Sequence, residues 1–105
     1  MADQIYDVSL RFPDYEKFGL ANQIRRASVS VSSNIAEGSG RNSDREFIRF
    51  LQIAYGSLME VVSQLKIAER RTFVPANDVI ELYQHCEQIG RMLSGLRVSL
   101  ERKLS

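Results

Sequence analysis

The chain has 105 residues, with 14 lysines and arginines against 13 aspartates and glutamates, and therefore a net charge of +1. This length suffices for one domain, residues 1–105, and no run of about 18 apolar residues is available to cross a membrane. The amino terminus lacks a basic and apolar leader, so we expect a cytoplasmic protein without membrane contact. The single cysteine, Cys86, excludes an internal disulfide, and we expect its thiol to pack as a small apolar group.

The first predicted helix is short. Between Asp3 and Arg11 the apolar residues recur at helical spacing, but the segment is too short to form a stable helix alone. Pro13 disfavours a helical backbone at Phe12, because its ring clashes with the preceding residue. We therefore predict about two helical turns, followed by a turn at residues 12–16.

The second predicted helix covers residues 19–37. Its apolar residues recur at steps of four, three, four and four, which places them on one helical face: Leu20, Ile24, Ala27, Val31 and Ile35. Residues 27–32 also alternate between small apolar residues and serine, as in a half-buried strand. We favour the helix, since its pattern covers more residues and no other segment offers such a strand a partner. Gly38 then suits a left-handed backbone that ends the helix.

The third predicted helix begins at Ser43, because Ser43 and Glu46 have the spacing of a capping box. One stripe of apolar residues follows, formed by Phe47, Leu51, Ala54, Leu58, Val62 and Leu65. A second apolar set lies off this stripe and contains Ile48, Phe50, Ile53, Tyr55, Met59 and Val61. One apolar face would suffice inside a bundle, so we expect the outer face of this helix to contact another subunit. The candidate interface residues are Phe50, Ile53 and Val61.

The fourth predicted helix begins near Pro75, which suits the first turn of a helix. Its apolar residues follow a heptad pattern, which favours nearly aligned helices: Leu82, Cys86, Ile89, Leu93, Leu96 and Leu100. Gly90 and Gly95 lie inside this helix, where each glycine costs about 1 kcal/mol relative to alanine. We expect both glycines to face a closely packed neighbouring helix.

The sequence contains no recognisable catalytic or metal-binding motif. His85 is the single histidine, and the Glu-x-x-His pairs of di-metal bundles are absent. The glycine-containing segment 37–41 lacks the Gly-Lys-Ser/Thr ending of a phosphate-binding loop and follows a predicted helix. We therefore expect no enzymatic activity, no metal, no cofactor and no small-molecule substrate.

Polar residues concentrate in the second and third predicted helices: Gln23, Arg25, Arg26, Asn34, Glu37, Arg41, Arg45 and Arg49. One interpretation is an internal network, in which Glu37 and Asn34 satisfy arginines or the backbone of the turn that follows. The other is an exposed basic patch that contacts nucleic-acid phosphates, formed by Arg25, Arg41, Arg45 and Arg49. No set of aromatic residues for base stacking accompanies these arginines in the sequence, so sequence-specific reading of single strands is not supported.

Several strings of residues carry a resemblance to a known family. They are Phe12-Pro13, Phe18-Gly19-Leu20, Gln23-Ile24-Arg25-Arg26-Ala27, Val29-Ser30-Val31, Ser33-Asn34-Ile35-Ala36-Glu37-Gly38, Gly40-Arg41, Glu46-Phe47-Ile48-Arg49-Phe50-Leu51, Ile53-Ala54, Gly56-Ser57-Leu58 and Glu60. Over about residues 12–104, the chain resembles the four-helix-bundle proteins encoded within intervening sequences of bacterial 23S rRNA genes.

This resemblance implies an all-α, up-down-up-down four-helix bundle that assembles as a ring-shaped homopentamer. It also implies association with rRNA or ribosomes, a role that is inferred in that family from the position of the genes. A distant relative assists the reverse transcriptase of diversity-generating retroelements through a basic surface. On this basis we expect a nonenzymatic scaffold or adaptor that contacts structured RNA or a ribonucleoprotein.

The chain departs from the family pattern at its first helix, since only eleven residues precede Phe12. A shortened first helix leaves part of the groove between the other helices open, unless a neighbouring subunit covers it or the true start lies upstream. An amphipathic helix of another protein fits such a groove. The alternative function is therefore a protein–protein interaction module with no nucleic-acid binding.

Overall fold

The computed structural model describes residues 1–104 and contains four α-helices and one short 3₁₀ turn over Asp14–Glu16. The helices are α1 (Ala2–Ser9), α2 (Leu20–Ser39), α3 (Asp44–Arg70) and α4 (Ala76–Leu104). The part of the chain that the structure describes has no strand, so the helical interpretation of residues 27–32 is confirmed. No helix within residues 1–104 combines the length and hydropathy that a membrane span requires.

The helices pack in an order consistent with an up-down-up-down four-helix bundle. α2 packs against α1 and α3, and α4 packs against α3. At one end of α1, the Met1 sulfur lies 3.8 Å from the Cys86 sulfur, and beyond its other end Arg11 Nη1 lies 2.7 Å from Asp78 Oδ2. α1 is therefore antiparallel to the first part of α4.

The first helix is short, as the sequence predicts. Eight residues span about 12 Å, whereas the 27 residues of α3 span about 40 Å. His85 lies on the side of α4 that faces α1, because its Nε2 is 3.5 Å from Gln4 Nε2. Met92 and Leu96 lie on the same side of α4 as His85, beyond the point where α1 begins. They are 72 % and 39 % exposed. This part of α4 has no α1 residues beside it, because α1 ends its contact with α4 near Met1 and Cys86.

The buried face of α3 differs from the predicted stripe at Phe47 and Val62, which are both only partly buried. Val61 is completely buried, whereas Val62 is only partly buried. The buried residues alternate steps of three and four: Leu51, Ala54, Leu58, Val61, Leu65 and Ala68. This heptad pattern keeps the seam of a long helix facing nearly aligned neighbours. The prediction took a step of four after Leu58 and therefore placed Val62 on the seam.

Gly38 does not end α2 with a left-handed backbone, so this prediction is wrong. The helix continues to Ser39, and no glycine of the described chain has a positive φ. A Cβ atom on Gly38 would lie 2.7 Å from Phe50 Cβ and 2.9 Å from Phe47 Cδ1. Gly38 is therefore needed where α2 and α3 approach each other closely.

The other local predictions have mixed outcomes. Ser43 Oγ accepts a hydrogen bond of 3.2 Å from the Glu46 N–H, as expected at the start of α3. In α4, a Cβ atom on Gly90 would contact Leu58 Cδ2 at 3.5 Å, which confirms that Gly90 faces α3. Gly95 has no atom within 4 Å of that position, so the expectation that it packs against a neighbour is wrong for this chain alone.

Candidate nucleic-acid interface

Two of the four candidate arginines, Arg41 and Arg49, lie against one aromatic ring near the turn between α2 and α3. The guanidinium carbons of Arg41 and Arg49 lie 5.1 Å and 5.0 Å from the centre of the Phe50 ring. Phe50 is half-buried, and its Cβ lies next to Gly38. The ring therefore supports two cationic side chains whose surfaces remain exposed.

The charges at this turn are only partly balanced. Arg41 Nη2 lies 2.6 Å from Glu37 Oε1, and Arg41 Nε lies 3.8 Å from Glu46 Oε2. Arg45 and Arg49 stand one helical turn apart, and neither has a carboxylate within 4.0 Å among residues 1–104. Like charges at this spacing repel each other by a few tenths of a kcal/mol, and an anion between them would remove that repulsion.

Arg25 does not belong to this cluster. It precedes Arg41 by 16 residues, which corresponds to about 24 Å along a helix. Its Nε donates to Ser9 Oγ at 2.6 Å, and its guanidinium carbon lies 4.5 Å from the centre of the Tyr6 ring. The predicted basic patch is therefore divided into a group of three arginines and a separate site at Arg25.

The polar cluster matches the internal-network interpretation only in part, and phosphate contact stays a prediction. Glu37 pairs with Arg41, but both side chains are exposed and the pair is not internal. Asn34 Nδ2 donates to the Ser30 carbonyl oxygen at 2.8 Å and to Ser30 Oγ at 3.0 Å, and not to an arginine or to the turn. Aromatic rings do accompany the arginines in space, since Phe50 and Tyr6 lie beside them. The sequence already places Phe50 directly after Arg49, whereas Tyr6 and Arg25 come from different helices and no local pattern indicates their contact.

The end of α4 adds further positive charge near the three arginines. Leu51 and Tyr55 line one depression together with Leu93 and Arg97, so the last turns of α4 lie beside the first turns of α3. Residues 37–49 and 97–104 together carry six basic and four acidic side chains. This end of the bundle therefore has a positive balance.

A family model described as 23S rRNA-intervening sequence protein matches residues 1–95. The chain belongs to this family. The match includes α1, the turn with the three arginines, and all of α3, and it ends within α4. No curated protein matches the chain.

The structure distributes the three candidate interface residues of this 23S rRNA-intervening sequence protein over different environments. Val61 is fully buried in the core, because the seam of α3 steps from Leu58 to Val61. Phe50 is half-buried beneath two arginines, and only Ile53 is substantially exposed, at 42 %. Val61 therefore cannot contribute to an outer surface.

Other apolar side chains outside the three candidate interface residues are also exposed. On α3, Tyr55 and Met59 of the second apolar set are 40 % and 42 % exposed, about as much as Ile53. Tyr15 and Phe18, before α2, are 76 % and 86 % exposed. The period of a helix does not report on these last two residues, because they lie in the connection between helices.

The titratable groups near His85 do not form an activated site. His85 Nε2 lies 3.9 Å from Glu81 Oε1, and residues 1–104 contain no group of three His, Cys, Asp or Glu side chains suited to a metal ion. Burial raises the pKa of the Cys86 thiol, which keeps it protonated and unreactive. Burial and a hydrogen bond to Glu69 raise the pKa of Tyr83 to about 12.

Proposed function

We propose that this chain is a nonenzymatic, oligomeric adaptor that contacts structured RNA, such as rRNA, in the cytoplasm. The contact surface is the basic end of the bundle, which we define as Arg41, Arg45 and Arg49. The observation that carries this proposal is the exposed pair Arg45 and Arg49, one turn apart and without carboxylate partners.

The chemistry of the basic end suits phosphates rather than bases. Guanidinium groups bind phosphate oxygens with two parallel hydrogen bonds, and such contacts do not depend on nucleotide sequence. Contact between Phe50 and both Arg41 and Arg49 restricts these side chains before binding, which lowers the entropy lost on association. Phe50 is half-buried, so it supports the cations and is not available for stacking.

Assembly of several copies is the second part of the proposal. Ile53 and Met59 are exposed on α3, and Gly56 between them has no atom within 4 Å of a Cβ position. A glycine inside a helix costs about 1 kcal/mol, and nothing within the protomer requires it here. A closely packed second copy would account for Gly56, and the homopentameric ring implied by the resemblance would present five basic ends to one RNA.

The experiment measures binding of a fluorescent, fully paired RNA hairpin between about 50 and 200 mM salt. The double variant Arg45→Ala/Arg49→Ala should bind more weakly, and its slope of log affinity against log salt should fall by about 1.8. The control is Arg70→Ala/Arg71→Ala, which removes the same charge from the other end of α3. Equal losses in both variants, or no RNA binding at low salt, would contradict the proposal.

A second candidate is the interaction module that docks a partner helix. The exposed Met92 and Leu96 on the part of α4 beyond α1 favour it. An identified protein partner that stays bound after nuclease treatment and is lost from Met92→Lys would support this function. A pulldown that returns RNA and no protein would argue against it.

A further inference from the structure

A concave pocket lies where α1, the 3₁₀ turn and the beginning of α2 meet. Its volume is about 370 Å³, and its lining includes Tyr6, Ser9, Lys17 and Arg25. Asp14 also lines it and is the one acidic residue in the lining. The pocket therefore contains two cations and one anion, about 24 Å along α2 from the basic end.

The guanidinium of Arg25 is held in this pocket by two contacts. Its Nε donates to Ser9 Oγ, and Ser9 is 2 % exposed and donates in turn to the Tyr6 carbonyl oxygen at 2.7 Å. The Tyr6 ring lies against the guanidinium, with 4.5 Å between the guanidinium carbon and the ring centre. The side chain is therefore fixed before any ligand binds.

The held arginine lacks a counter-ion. Arg25 is half-buried, and no carboxylate within residues 1–104 lies within 4.0 Å of it. Burying a charge is costly unless an opposite charge or hydrogen bonds compensate. An arginine has five N–H donors, and within residues 1–104 only the Nε donor of Arg25 has a protein acceptor. The two terminal nitrogens are free to hold an anion.

The surroundings indicate which anion fits. A phosphate group matches the planar fork of arginine, and Lys17 provides a second cation in the lining of the pocket. The Tyr6 side chain is 52 % exposed and offers an aromatic surface for a base. The Asp14 carboxylate is an acceptor for the amino group of a base.

We propose that this pocket binds a nucleoside phosphate, with the phosphate on Arg25 and Lys17 and the base against Tyr6. The ligand is either an unpaired nucleotide of an RNA or a free nucleotide, since both present the same groups. This site stands on its own geometry and does not depend on the proposed function of the basic end.

The first experiment titrates adenosine monophosphate, cytidine monophosphate and inorganic phosphate into the full chain by calorimetry. Both nucleotides should bind saturably and more tightly than inorganic phosphate. Lys17→Ala and Arg25→Lys should each weaken nucleotide binding about tenfold, because each removes charge-assisted hydrogen bonds. Lys17 is exposed, so its variant should fold normally, and Lys66→Ala is the matched control.

Absence of saturable binding, or wild-type affinity in both variants, would overturn the proposal. Inorganic phosphate that binds as tightly as the nucleotides would overturn the role of Tyr6.

The second experiment distinguishes the two sources of the ligand. A hairpin with an unpaired loop is compared with a fully paired hairpin, using the wild type, Lys17→Ala and Arg45→Ala/Arg49→Ala. If the ligand is an RNA nucleotide, the preference for the loop disappears in Lys17→Ala and survives in the double variant. If the ligand is a free nucleotide, neither hairpin responds to Lys17→Ala while adenosine monophosphate still does.

The two proposals can fail separately in this design. Loss of duplex binding in Arg45→Ala/Arg49→Ala, with no nucleotide binding to the wild type, leaves the basic end supported and removes the pocket. Nucleotide binding that depends on Lys17, together with unchanged duplex binding in the double variant, supports the pocket and removes the basic end.

Discussion

Replacement of Gly38 by alanine tests the close approach of α2 and α3. The added Cβ would lie 2.7 Å from Phe50 Cβ, whereas ordinary contacts begin near 3.4 Å. Phe50 Cβ is attached directly to the backbone of α3 and cannot rotate away. The two helices must therefore separate by about 0.7 Å at this point, in an interior that is otherwise closely packed.

The expected free-energy change combines two opposing terms. Overpacking of this kind costs about 1–3 kcal/mol. Alanine gains about 1 kcal/mol over glycine inside a helix, which offsets part of this loss. We expect Gly38→Ala to lower the free energy of unfolding by about 1 kcal/mol and the melting temperature by about 4–8 °C.

The assay is urea unfolding followed by far-ultraviolet circular dichroism, with Gly95→Ala as the matched control. Gly95 lies inside α4 with open space at its Cβ position, so alanine there should stabilise by about 1 kcal/mol. Since Phe50 supports Arg41 and Arg49, Gly38→Ala should also weaken duplex RNA binding. If Gly38→Ala proves as stable as Gly95→Ala, our explanation of the helix contact is refuted.

Three further outcomes are expected from local interactions. Ser43→Ala removes the side-chain acceptor of the Glu46 N–H and should cost about 1 kcal/mol in urea unfolding; an unchanged midpoint would contradict this. The pKa of Tyr83 is raised to about 12 in the folded protein, so its contribution to stability is complete below about pH 10 and is lost towards pH 12. A tyrosinate absorbance titration in which all tyrosines ionise near pH 10 would argue against the contact with Glu69. Cys86 is buried with a raised pKa, so iodoacetamide should alkylate it far more slowly in the native protein than in urea. Equal rates would show that the thiol is accessible.

Helix periodicity predicted most of the fold, because the spacing of apolar residues along the chain is enough to recognise a helix. α2, α3 and α4 begin within one or two residues of the predicted positions. Ser43 caps the start of α3, and Pro75 directly precedes the start of α4. Periodicity says less about which of two neighbouring residues lies on the buried face, because a step of three and a step of four are both compatible with a helix. For this reason Val62 was predicted on the seam of α3, where the structure has Val61.

The candidate site was harder to predict than the helices. The four arginines were grouped by their closeness along the chain, but the rise of α2 carries Arg25 far from Arg41. Gly38 was interpreted from local helix-ending rules, although its role depends on Phe50 in another helix. The partners of Arg25, Ser9 and Tyr6, come from α1 and are not indicated by any local pattern. Such contacts between helices are fixed only by the tertiary structure.

The shortness of α1 has a dynamic consequence. Eight residues are fewer than an isolated helix needs in order to persist in water. α1 is therefore ordered by its packing against α2 and by the side-chain contacts of Met1 and Gln4 with α4. Its separation from the bundle requires less free energy than unfolding of α3, and backbone amides of residues 2–9 should exchange with deuterium first. Each such separation of α1 also exposes Cys86, which contacts Met1 in the folded protein, and removes the α1 residues that position Arg25. A nucleotide held in the pocket would therefore slow exchange throughout α1.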